Sequence, residues 1–144
     1  HLLKAPTSQF KVKQSNNLTT IDPDSFKRYD IYTDAFIAMN VTDAMALYKK
    51  YRPLVDQVFA EIGYPDDDFS DTLLIAIEHM LATPEHAADM SLQQPSVMYT
   101  YSDERLEALS DVQKQLLRMG PKNLKQIKNK LRTFKRAIES NQGN

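Results

Sequence analysis

The sequence predicts a mostly α-helical protein, a single compact domain of five or six helices with at most one small two-stranded β pairing. Only three of the 144 residues are glycine, whereas a sandwich or barrel requires many tight turns. After residue 21, apolar residues recur at three- and four-residue spacing, and several of these runs start at a helix-capping residue. The length, with 42% hydrophobic and 26% charged residues, is typical of one globular domain.

Residues 1–21 are predicted to form an N-terminal arm or linker remnant, and residues 22–144 the helical domain. The arm is polar, and only Phe10 and Val12 alternate within it, which indicates one short edge strand or an ordered arm. The chain starts at His1 without a Met or a long apolar run, a pattern typical of a piece trimmed from a longer protein.

Capping signals place the first two helices. The Asp-Pro pair of IDPDSF starts a helix that is expected to extend to about Asn40. Asp43 is predicted to cap a second helix that runs to Ile62. The apolar phase of this helix continues across Pro53, so we expect one kinked helix or two nearly collinear ones. Gly63 then ends the helix.

The middle of the chain contains one strongly apolar helix and one extended segment. The helix is expected to start at Asp68 or Ser70 and to end before Pro84. In the segment that follows, Val97, Tyr99 and Tyr101 alternate, which favours an extended strand paired with the Phe10 arm.

The last third of the chain predicts helices again. A helix resumes near residue 102, and Ser110 with Gln113 forms a capping-box pattern that restarts it. Gly120 and Pro121 separate it from the last helix. Five apolar residues at 3-4-3-4 spacing make a narrow buried seam on that helix: Leu124, Ile127, Leu131, Phe134 and Ile138.

Charge is strongly segregated along the chain, although the net charge is only -1. Residues 53–104 contain eleven Asp or Glu and no Lys or Arg, whereas residues 112–138 contain nine Lys or Arg and no acid. Two interpretations remain open at this stage. The segments either form a bipolar binding surface or pack side by side and neutralise each other.

Five basic residues of the last helix form a candidate interaction surface beside the apolar seam: Lys125, Lys128, Arg132, Lys135 and Arg136. Nucleic acid is not the expected partner, because Phe134 is the only aromatic residue of this helix and belongs to the seam. Insertion into a membrane surface requires free apolar groups, which folding is expected to consume here. We therefore expect an ordinary helix with a solvated basic flank, complemented by the acidic segment.

Tyrosines and arginines suggest a second candidate site. The chain has seven Tyr, and their hydroxyls need partners where they are buried. Either a core with hydroxyls at its rim or a polar pocket satisfies this need. The candidate pocket comprises Arg28, Tyr29, Asp30, Tyr64, Gln94, Tyr99 and Arg118.

No catalytic, metal or cofactor site is predicted. The chain contains no Cys, no glycine-rich phosphate loop and no nucleophile elbow. The PDDDFSD segment brings together Asp66, Asp67, Asp68 and Asp71, but it lacks the central Gly and closing Glu of a calcium loop, so helix capping is the expected role. The pairs Glu78-His79 and Glu85-His86 lack the spacing of a zinc helix.

An ordered set of short segments resembles a known family. These segments are RYD (28–30), YKKYRPL (48–54), GYP (63–65), LATP (81–84), QPSVMY (94–99) and LLRMGP (116–121), followed by a Lys-rich helix. The set resembles the bacterial domain of unknown function 3014 from about Phe10 to the end. The resemblance implies a Gram-negative protein with an N-terminal membrane anchor, which this chain lacks, and a domain on the periplasmic side of the inner membrane. It implies no catalytic residue, cofactor or ligand.

The expected function is a non-enzymatic envelope domain that contacts another protein of the cell envelope. The alternative is a domain that binds a small ligand or an envelope polymer through the Tyr and Arg residues. A flat apolar or charged patch would favour the first function, and a deep pocket lined by Tyr and Arg the second.

Overall fold

The computed structural model describes residues 11–15, 18–64, 68–85, 91–94 and 99–142. Within these ranges the chain is mostly helical, as predicted, and has seven helices beside a four-stranded antiparallel sheet. The helices are α1 Asp24–Lys27, α2 Asp30–Ala38, α3 Val41–Glu61, α4 Phe69–Leu81, α5 Glu104–Glu107, α6 Asp111–Arg118 and α7 Pro121–Gln142. The strands are β1 Val12–Ser15, β2 Leu18–Ile21, β3 Ser91–Gln93 and β4 Thr100–Tyr101.

The count of five or six helices was too low because the predicted first helix is divided into α1 and α2. The division is stabilised by Asn123 of α7, a residue distant in sequence. Its side-chain amide donates to the Phe26 carbonyl oxygen at 3.2 Å and to Asp30 Oδ1 at 3.0 Å. A tertiary contact of this kind satisfies backbone groups that a continuous helix would satisfy internally.

The sheet is larger than predicted, and its pairing differs from the prediction. The strand order is β1-β2-β3-β4, so each strand pairs with its neighbour in sequence. The prediction that the arm pairs directly with the Tyr99–Tyr101 segment was wrong for the described residues, because β3 lies between them. Leu92 of β3 is in register with Thr19 on one side and with Tyr101 on the other. Phe10 and Val97, which the prediction also named, lie outside the described residues.

The described part of the predicted arm belongs to the body of the protein. β1 and β2 pair with Val12 opposite Ile21, and Ile21 is one of the most deeply buried side chains. The two strands therefore attach residues 12–21 to the core, with residues 16 and 17 outside the described ranges.

Helix α3 confirms the prediction for Pro53, which lies inside one continuous helix of 21 residues. Its N-terminal cap was predicted wrongly. The cap is Asn40, whose side-chain oxygen accepts the Asp43 backbone N–H at 2.9 Å, so Asp43 lies inside the first turn. Gly63, with a φ of 111°, follows the end of the helix.

Helix α7 is the centre of the core and packs against α2, α3, α4 and α6. Its predicted apolar seam is confirmed. Leu124, Ile127, Leu131 and Ile138 are buried, and the ring of Phe134 stacks on Phe36 with 5.9 Å between ring centroids. The predicted capping box of α6 is also present, since Ser110 Oγ accepts the Gln113 backbone N–H and Gln113 reciprocates.

Candidate functional site

Helix α3 lies at the periphery of the protein, and none of its residues is buried. The side that faces the body makes polar and aromatic contacts with the start of α4. The Tyr48 hydroxyl hydrogen-bonds Ser70 Oγ at 2.8 Å, and the Phe59 ring meets the Phe69 ring edge-on at 5.4 Å. Arg52 adds a hydrogen bond and ion pair to Asp68 at 2.9 Å. Together with the packing of α3 against α7, these contacts hold the helix against the described part of the domain.

A second side of α3, continued by its C-cap residue Ile62, presents five large apolar side chains to solvent. Each of them has between 48% and 65% of its surface exposed. At 100° and 1.5 Å per residue, they occupy an arc of about 80° and a length of about 22 Å. We call this set the α3 stripe: Leu47, Tyr51, Leu54, Val58 and Ile62. A contiguous apolar surface of this kind is a feature of interaction sites, whereas isolated exposed apolar residues need no explanation.

The candidate basic surface on α7 is not one continuous patch. Lys125, Arg132 and Arg136 are exposed, whereas Lys135 is half-buried and ion-paired with Glu78 of α4. The hydrogen bond and the charge of Glu78 hold the pKa of Lys135 above its ordinary value. This pair joins the acidic and basic segments, which pack side by side where α4 meets α7.

Lys128, the fifth member of that surface, is only 6% exposed, so the prediction of a solvated side chain was wrong for it. Its ammonium group donates to the Thr83 carbonyl oxygen just beyond α4, and it lies 3.7 Å from Glu85 Oε1. The acceptor is 45 residues away in sequence. The helical phase of Lys128 therefore could not reveal this contact.

Replacing Lys128 with alanine should lower the free energy of unfolding by about 1–3 kcal/mol, because the Thr83 carbonyl would lose its partner. The matched control is Lys125→Ala, which removes an exposed Lys from the same helix and should cost at most about 0.5 kcal/mol. Urea unfolding followed by circular dichroism measures both values. Equal costs for the two variants would contradict the structural role of Lys128.

Lys130, which was not among the candidate residues, also has a structural role. Its ammonium group donates to the Ile37 carbonyl oxygen at 2.8 Å and to the Met39 carbonyl oxygen. A cation at these carbonyls satisfies the last hydrogen-bond acceptors of α2 and interacts favourably with the negative end of the helix dipole. The contact joins residues 93 apart, and no local sequence signal marks it.

Part of the candidate polar pocket lies where α1 meets α2. The Arg28 guanidinium donates to the Tyr29 hydroxyl at 3.0 Å, and Asp30 accepts from Asn123. Tyr64 stacks on Phe59 beyond the end of α3, with 5.2 Å between the ring centroids.

The other members of that pocket lie near the sheet and α6. Tyr99 is half-buried against the core, and Gln94 is exposed. Arg118 lies near Tyr101. Burial raises the pKa of Tyr101 to about 12, and the positive charge of Arg118 opposes this rise.

An open groove with a volume of about 450 Å³ lies between α4 and α7. It is lined by Asp71, Leu74, Ile75, Glu78, Lys135 and Glu139. Two of its carboxylates are already engaged, Glu78 by Lys135 and Asp71 by the Gln142 amide at 2.6 Å. The groove contains neither the Tyr nor the Arg residues that the ligand-binding alternative requires.

The acidic segment and the histidines have structural contacts where they are described. Asp68 caps α4 by accepting the Ser70 backbone N–H at 2.7 Å. His79 Nε2 lies 2.7 Å from Ser110 Oγ, next to the α6 cap. Asp66, Asp67 and His86 lie outside the described residues. Among the described residues there is no group of three or more candidate metal ligands.

The comparisons with known proteins give one match. A family model described as "Protein of unknown function (DUF3014)" matches residues 1–135, which is most of the chain. The chain belongs to the DUF3014 family. The comparison with curated proteins found no match, and the comparison with solved structures found none either. The DUF3014 description assigns no activity, so family membership by itself identifies neither a substrate nor a partner.

The segments that pointed to DUF3014 have structural roles where the structure describes them. Arg52 of YKKYRPL pairs with Asp68, and Thr83 of LATP accepts the Lys128 ammonium group. In LLRMGP, Leu116 and Leu117 are buried, and Gly120 lies against the Phe26 ring. These residues of the DUF3014 segments therefore stabilise the fold. Within the described ranges, no helix combines the length and the apolar character needed to cross a bilayer.

Proposed function

We propose that this DUF3014 domain is a non-enzymatic protein-interaction module and that the α3 stripe is its contact surface. One observation carries the proposal. A helix of 21 residues contributes no buried residue to its own core, yet it carries four large apolar side chains in line on an exposed side, and its C-cap residue Ile62 adds a fifth. A partner protein that covers this apolar surface would explain why the domain exposes it.

The chemistry of the stripe indicates the kind of partner. Its residues recur at spacings of four, three, four and four, which is the pattern of anchors that one helix presents to another apolar helix face. If each half-exposed side chain presents on the order of 80–100 Å², the stripe offers about 400–500 Å² of apolar surface. The partner is therefore a protein with an apolar helix face, in contact along about 22 Å.

The location is a second part of the proposal and depends on the family resemblance. We place the domain on the periplasmic side of the inner membrane, held there by an N-terminal anchor outside this chain, with its partner in the cell envelope. The alternative function, binding of a small ligand or an envelope polymer, has less support. The open groove between α4 and α7 could hold a ligand, but the Tyr and Arg residues predicted for that function do not line it.

Photo-cross-linking tests the proposed surface and requires no candidate partner. A photoreactive phenylalanine analogue at position 54 should form an adduct with a protein in cells that produce the domain, because this position lies within the stripe. The matched control is position 31, where an equally apolar residue of α2 is 71% exposed outside the stripe. An adduct at position 54 alone, identified by mass spectrometry, is the expected result. Absence of adducts at position 54, or the same adducts at both positions, would contradict the proposed function.

A further inference from the structure

We infer that the partner covering the α3 stripe is a second copy of this chain, paired antiparallel across a two-fold axis. This inference rests on the proposed function and names its partner. A two-fold interface uses the same patch on both subunits, so the patch must be complementary to itself. The stripe meets this requirement in its spacing, its charges and its area.

The spacing is nearly symmetric about the point between residues 54 and 55. Leu47 and Ile62 lie equally far from that point, as do Tyr51 and Val58, and Leu54 lies next to it. In an antiparallel pair centred there, Leu47 of one copy faces Ile62 of the other, and the two Leu54 side chains meet at the axis. All five apolar residues then face apolar residues, at a crossing angle close to the ~20° of aligned helices.

The charges beside the stripe are complementary in this arrangement. Lys50 and Glu61 both lie within about 40° of Leu54, on the side of the helix away from the rest of the stripe. In the antiparallel pair, Lys50 of one copy is offset from Glu61 of the other by two residues, or about 3 Å along the axis. Symmetry creates this ion pair twice. Within the described residues neither side chain has an ion-pair partner, although Glu61 accepts from the Gln57 amide and Lys50 lies 5.6 Å from the Tyr51 ring centroid.

The area is sufficient for a dimer of moderate stability. Two stripes of about 400–500 Å² bury about 800–1,000 Å², and the flanking residues bring the total toward the ~1,200 Å² at which specific interfaces begin. Interfaces at this low end of the size range are typical of weak, transient associations. We therefore expect monomer and dimer to exchange at micromolar concentrations.

Sedimentation equilibrium of the 144-residue chain tests the inference directly. The apparent mass should rise from the monomer value of 16.5 kDa toward twice that value with increasing concentration. Leu54→Lys places two cations at the axis and should abolish the dimer. The matched control Ile31→Lys, at an exposed position outside the stripe, should leave the dimer intact. Both positions are exposed, so circular dichroism should show an unchanged fold.

Charge reversal tests the arrangement of the pair. Lys50→Glu should raise the dissociation constant about tenfold, because two attractive contacts become repulsive. The double variant Lys50→Glu/Glu61→Lys should restore the original value. Because the chain contains no cysteine, the single substitution Leu54→Cys should form a disulfide between the two copies at the axis. Leu47→Cys should form none, because position 47 of one copy faces position 62 of the other.

The two proposals fail in different ways. A wild-type chain that stays monomeric at all concentrations overturns the inference of a second copy. In that case, a cross-linked adduct of another mass at position 54 would still support the proposed function. A dimer that Leu54→Lys does not affect would also overturn the inference, because the contact would lie elsewhere.

Discussion

Replacing Leu131 with alanine should lower the free energy of unfolding by about 2–5 kcal/mol, among the largest effects expected for a single residue of this protein. Leu131 lies in the middle of α7 and is only 6% exposed, among the buried side chains of the core. Shortening it removes apolar contacts and leaves a cavity that the rigid helix cannot close. Urea unfolding followed by circular dichroism gives the value, and the dependence of the free energy on urea should stay unchanged.

The adjacent residue provides the matched control. Arg132 is exposed, and its guanidinium donates to Asn129 of the same helix at 2.8 Å. Arg132→Ala should therefore change the free energy of unfolding by no more than about 0.5 kcal/mol. A comparable loss of stability in both variants would mean that any alanine substitution in α7 lowers the free energy of unfolding. Burial in the apolar seam would then not explain the effect of Leu131→Ala.

Gly120→Ala is the second change for which we expect a large loss of stability. Gly120 has a φ of 93°, which L residues rarely adopt. An added Cβ would also lie 2.7 Å from Phe26 Cβ and 2.8 Å from Phe26 Cδ1. Backbone strain of about 1–3 kcal/mol then combines with an overpacking cost of similar size. We expect a loss of at least about 3 kcal/mol, measured by thermal and urea unfolding.

Gly63→Ala separates the two contributions. Gly63 also has a positive φ, 111°, but no atom of the described residues lies within 4 Å of its added Cβ. This variant should therefore show only the strain of about 1–3 kcal/mol. If the two variants lose the same stability, Phe26 moves aside at no cost, and the close contact between Gly120 and Phe26 does not restrict that position.

Local signals predicted the helices well because the interactions that start and stop a helix lie within a few residues. Asp68 at the start of α4, the Ser110–Gln113 capping box and Gly120 before α7 all have the roles that their neighbours in sequence indicate. Pro53 was also predicted to lie inside a helix, because the apolar spacing on either side of it keeps one phase.

The remaining features depend on contacts between distant residues. The pairing of β2 with β3 joins Thr19 to Leu92, and the burial of Lys128 depends on Thr83. Sequence periodicity does not encode either partner.

The α3 stripe was missed for a related reason. The helix carries two apolar sides, one with Tyr48 and Phe59 toward the body and one with Leu47 and Leu54 toward solvent. The apolar residues of both sides recur at three- and four-residue spacing. The sequence therefore could not indicate which of the two sides packs against the rest of the domain.

The Asn123 contacts have a consequence for how the chain folds as it is made. Asn123 contacts residues 93 and 97 positions earlier, and Lys130 contacts Ile37 across 93 positions. Contacts at such separation close long loops, so loop-closure entropy is lost before the packing of α7 compensates for it. Because α7 leaves the ribosome after the other described helices, these contacts form only after the other described helices and strands have been made. The α7 side chains of the core therefore join the other core residues last: Leu124, Ile127, Leu131 and Ile138.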